Sequence, residues 1–144
     1  MSVHPYRADA LGALARWHAA GMRMVKWLPN AQGIDPADPQ LEAYYRMLIA
    51  LDLTLLTHVG EERAVEAKAH QKFGNPLRFR FPLGLGVRIV MAHCANLGTV
   101  EDLDAKAGAR IPAWQAFMRL MDEPAYEGRL FGEISAMTQY NRLP

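Results

Sequence analysis

The chain has 144 residues, one domain's worth on the usual span of roughly 100–200 residues per domain. Hydrophobic residues make up 51%, and 16 Lys plus Arg stand against 15 Asp plus Glu for a net charge of +1. That balance excludes a disordered chain and gives no strong field for nucleic acid or an anionic membrane. Cys94 is the only cysteine, which excludes a disulfide framework and a four-cysteine zinc module, and no apolar run reads as a signal peptide or a membrane span. A single cytoplasmic domain (1–144), with neither nucleic acid nor membrane as partner, is expected.

Residues 8–20 carry Leu11, Leu14, Ala15 and His18 at helical spacing and end at Gly21, where a C-terminal cap belongs. The apolar run 22–28 follows, the length of a buried strand. Segment 38–50 opens on Asp-Pro, an N-cap and a first-turn proline, and sets Leu41, Tyr44, Tyr45 and Leu48 on one stripe. After it comes the run 53–57. Segment 75–85 repeats the device with Asn-Pro, stops at Gly86 and leads into the run 87–92. A last helix over 111–122 is predicted to bury Trp114, Phe117, Met118 and Met121, ahead of the run 130–136.

None of the four runs alternates cleanly, the pattern of a parallel sheet covered on both faces. The αβαβαβαβ order predicts an α/β fold with right-handed crossovers and adjacent strands in sequence order. Helix-to-strand joins are short, whereas segments 29–37, 59–74 and 96–110 are long. Such folds place their chemistry at the carboxyl ends of strands.

Two of the five histidines, His58 and His93, end consecutive predicted strands. Neighbouring parallel strands lie about 4.8 Å apart. Imidazoles at equal height can therefore converge on one metal ion, or one can ligate while the other moves a proton; hydrogen-bonded structural histidines are the alternative. Lys26 shares a strand side with Met22 and Met24 and is a candidate metal or substrate contact, or a lysine paired with an acid. Glu61 and Glu62 read as site acids or as first-turn helix acids, and Glu133 and Ser135, on one side of the last strand, read as residues facing the site or as part of an internal ion pair. Arg78 and Arg80 are expected on a solvated helix face. Cys94, directly after His93, is expected to point to the other side of the sheet as packing. His4, His18 and His70 are read as incidental.

The strings Val-Lys-Trp-Leu-Pro-Asn, Leu-Thr-His-Val-Gly-Glu-Glu, Met-Ala-His-Cys and Gly-Glu-Ile-Ser-Ala resemble strands four to seven of the amidohydrolase superfamily of metal-dependent hydrolases. The resemblance covers essentially the whole chain and implies part of a (β/α)8 barrel. It implies that His58 is the strand-five metal ligand and that His93 is a second ligand or a catalytic acid/base. Lys26 falls near the position where binuclear members carry a carboxylated lysine. It further implies a divalent metal, zinc above all, and a small-molecule substrate whose C–N or C–O bond is attacked by metal-activated water. Two family features have no counterpart: no two histidines stand two residues apart, and no eighth-strand aspartate follows before Pro144.

A whole barrel needs eight strands and about 250 residues. An open arc of four βα units is therefore expected, weakly active or inactive alone, and either self-associating or completed by a complementary half. The rival reading is a non-catalytic α/β binding or interaction module with structural histidines.

Overall fold

In a computed structural model, which describes residues 1–106 and 108–137, the Asp-Pro and Asn-Pro steps act as caps. The Asp38 carboxylate accepts from the Gln40 N–H at 2.9 Å, and the Asn75 side-chain oxygen accepts from the Leu77 N–H at 3.0 Å. Each opens a 3-10 turn, Pro39–Leu41 and Pro76–Phe79, that winds directly into an α-helix. The prolines cost nothing there, because the first turn's N–H groups have no intrahelical partner.

The helices are α1 (Ala10–Ala19), α2 (Pro29–Gln32), α3 (Glu42–Ala50), α4 (Arg80–Leu85) and α5 (Ala113–Met121). The strands are β1 (Met24–Trp27), β2 (Thr54–His58), β3 (Ile89–Ala92), β4 (Thr99–Glu101), β5 (Arg110–Pro112) and β6 (Leu130–Glu133). β1, β2, β3 and β6 form one parallel sheet in that order, and β4–β5 form a small antiparallel hairpin. The expected neighbours, including the strands after residues 53 and 87, do pair. Among the described residues the sheet does not close on itself.

Burial alternates along β1 and through the first residues of β2 and β3, whereas β2 and β3 each end on two buried residues and β6 is buried only at Leu130. Val25, Trp27, Leu55, Ile89, Met91 and Leu130 enter one buried cluster with Leu14, Tyr44, Tyr45, Leu48, Leu83 and Phe117 of the helices. Met24, Lys26, Leu56, Val90 and Phe131 point to the other face and remain partly or largely exposed. Near-continuous apolar runs had suggested cover on both faces; the helices cover only one. Right-handed crossovers between strands laid down in one direction place every helix on the same side.

The outer edge of β1 already holds a neighbour. The Met1 amino group donates to the Met24 carbonyl at 3.2 Å and the Met1 carbonyl accepts from the Lys26 N–H at 2.7 Å, a parallel pairing around Val25.

Three expectations change. The hairpin β4–β5 takes up what reads as a loop and the first two residues of the predicted last helix, which starts at Ala113, and α2 and a 3-10 segment over Lys68–Gly74 lie in two other expected loops. α5 buries Ala113, Ala116, Phe117 and Leu120 and leaves Trp114, Met118 and Met121 exposed, so of the four predicted residues only Phe117 faces inward. Arg78 and Arg80 are not free on a solvated face: Arg78 grips the Asp35 carboxylate and Arg80 that of Asp104.

Candidate functional site at the carboxyl rim

His58 is the last residue of β2, and in register Ala92 of β3 and Glu133 of β6 lie in the same row across the sheet. Side chains in one row of a parallel sheet share a face. Residue 93, continuing β3 as a strand, would point to the helix side. It does not, because His93, Cys94 and Ala95 take φ of 60°, 48° and 53°. Left-handed backbone costs L-residues roughly 1–2 kcal/mol each, and strain of this kind concentrates at functional sites. Here it turns the His93 ring back over Ala92 until its centroid lies 5.8 Å from that of His58, the planes at 62°. Cys94 takes the other side, its Sγ beside Gly132, with burial pushing the thiol up. That is a packing cysteine, not a nucleophile.

His93 Nδ1 lies 2.7 Å from the Ser135 carbonyl and 3.2 Å from Ser135 Oγ. A carbonyl only accepts, so this contact assigns a proton to Nδ1. The Ser135 hydroxyl in turn donates to Glu133 at 2.7 Å. Burial alone would raise the Glu133 carboxyl. Hydrogen bonds from the Ser135 hydroxyl and N–H and from the backbone at His93, with the His93 charge, hold it below the usual carboxylate range.

His58 is buried, with 3% of its side chain exposed, and its Nε2 lies 3.6 Å from Glu62 Oε2, itself 5% exposed. Glu62 is fixed by its neighbours. Its carboxylate accepts from the Ala64 and Val65 N–H groups at 2.6 and 3.3 Å, and its main chain exchanges two hydrogen bonds with the Gln71 amide. No helix follows β2 directly, so the first-turn-acid reading of Glu61 and Glu62 does not hold. Glu61 turns away to Arg63 at 2.9 Å. Glu62 is the acid beside His58, and the sequence offers no signal to rank it above Glu61.

Lys26, one row below His58 on the same face, is half-buried. Desolvation pulls its ammonium below the ordinary lysine value, against the opposing fields of Glu133 and Glu62. Lys26, His58, His93 and Glu133 thus come together with Glu62, and Glu61 stays apart. His4 bonds the Gln32 carbonyl and His70 stacks on Phe73, both away from this cluster.

His58 and His93 are donors of the type zinc takes. Among the described residues, however, no three His, Cys, Asp or Glu side chains are disposed to hold one ion. None of the helices described is long and apolar enough to cross a membrane. Compared with protein-family models, curated proteins and solved structures, the chain matches none.

Proposed function

We propose that the four βα units are an arc of a (β/α)8 barrel of the amidohydrolase type and that its rim carries half of a hydrolase site. The observation behind this reading is the meeting of the His58 and His93 rings at the carboxyl ends of neighbouring parallel strands, with Lys26, Glu62 and Glu133 around them. Sequential strand order, helices on one side only and the parallel neighbour along β1 support the arc. The substrate is a small molecule with a C–N or C–O bond to be hydrolysed.

In this reading His93, its Nδ1 turned to Ser135, presents Nε2 to take or return the proton of water. The Lys26 ammonium, poorly solvated, stabilises negative charge growing on the substrate's oxygen. Glu62 holds His58 in place. Zinc, implied by the resemblance, would polarise a carbonyl and acidify water. His58 and His93 are the residues it would meet. Since two such donors and not three come together among the described residues, weak zinc binding and little activity are expected until a complementary barrel half or a second copy supplies the remainder.

Calorimetric titration with zinc tests the site. Loss of binding in His58→Ala with a smaller loss in His93→Ala supports one ligand and one proton carrier, and equal losses support two ligands. Wild-type binding in both variants overturns the site and favours the non-catalytic module.

A further inference from the structure

The segments after β2 and β3 enclose a cavity of about 350 Å³, within the roughly 300–1,000 Å³ that small-molecule ligands occupy. One wall is the 3-10 segment Lys68–Gly74 and the other is the β4–β5 hairpin. Both belong to the carboxyl-end loops, where α/β folds bind ligands. Gln71 lines the cavity and also bonds the main chain of Glu62, so the cavity borders the rim cluster.

Five ionisable side chains line it, and two are already committed. Arg78 is paired with Asp35, and Glu61 with Arg63. Lys72, Arg110 and Glu101 form no ion pair among the described residues. The Lys72 ammonium lies 5.3 Å from the centre of the Phe73 ring, and the Arg110 guanidinium reaches the Thr99 hydroxyl and carbonyl. Two cations against one carboxylate leave the lining with one surplus positive charge. Glu101 stands on the ladder rung opposite Arg110, which favours a monoanion and repels a dianion. Val100 and Leu103 add an apolar strip.

We propose that this cavity binds a small monocarboxylate, its carboxylate between Lys72 and Arg110 and a hydroxyl or ammonium group of the same ligand turned to Glu101. The inference concerns binding alone and is independent of the hydrolase reading.

The test is calorimetric titration of the whole chain with lactate, neutral lactamide and inorganic phosphate. Lactate is expected to bind saturably, and lactamide and phosphate not. Both cations are largely exposed, so Lys72→Met and Arg110→Met are expected to fold as wild type, checked by thermal melting. Each is expected to weaken lactate about tenfold, the effect of losing one charge-assisted hydrogen bond. Glu101→Gln is expected to admit phosphate. Absent lactate binding, equal binding of lactamide, preference for phosphate in the wild type, or wild-type affinity in both cation variants would each overturn the proposal.

Discussion

Lys26 is charged where water is half excluded, and its depressed pKa has consequences in pH and in reactivity. Between its folded value and the ordinary lysine value, the unfolded chain binds more protons at this position than the folded chain does. Stability contributed by Lys26 therefore rises with pH across that window. Denaturant melts of wild type and Lys26→Met from neutral pH upward are expected to show the rise in wild type and its reduction in the variant. For the same reason Lys26 is expected to be acylated ahead of its exposure rank when lysines are labelled at limiting reagent and read by mass spectrometry; labelling in simple order of exposure would contradict the lowered pKa. Glu62 carries a structural load as well. In Glu62→Ala the Ala64 and Val65 N–H groups lose their acceptor, and a loss of about 1–3 kcal/mol in denaturant stability is expected.

The elements that carry the rim are held by close approach and by strain. A Cβ at Gly74 would run into the Gly60 carbonyl and the Asn30 amide, both in the buried network that joins the β1 and β2 loops. Gly74→Ala is therefore expected to lower the melting temperature by several degrees, as an overpacking change of about 1–3 kcal/mol does in a chain of this length. On α5 the two faces separate cleanly. Phe117→Ala is expected to cost about 3–5 kcal/mol and Met118→Ala within about 0.5 kcal/mol. Similar losses at the two positions would mean that the helix presents its other face to the sheet.

For the molecule entire, the decisive feature is a sheet with one apolar side covered and the other open. Phe131, 43% exposed, and Met24, 41% exposed, stand on the uncovered face beside Leu56 and Val90. Contiguous exposed apolar surface of this kind marks a place that another body covers. Apolar dye binding and association at high concentration are expected for the wild type. Phe131→Lys is expected to reduce both, seen by fluorescence and light scattering, with little change in melting temperature because Phe131 is not part of the buried core cluster. A strictly monomeric, dye-silent wild type would count against the arc.

Much of this was readable from the chain without coordinates. Continuous apolar runs, Asp-Pro and Asn-Pro starts and glycine stops act through neighbours a few residues away, so the four strands of the parallel sheet, with their order and direction, follow from local chemistry. That His58 and His93 end adjacent strands follows from the same logic. Other features depend on what lies across space. The face that α5 buries turns on where the sheet sits, and the stripe of Trp114, Met118 and Met121 is as regular in sequence as the one that wins. The three-residue strands of the hairpin are stabilised by each other rather than by their own periodicity. Glu62 outranks Glu61 only because the chain after β2 folds back on Gln71. The direction of the His93 ring belongs to this class too. It rests on three successive residues of positive φ and on the contact of the His93 ring with the Ser135 carbonyl, 42 residues further along the chain, and no short-range pattern encodes a contact at that distance.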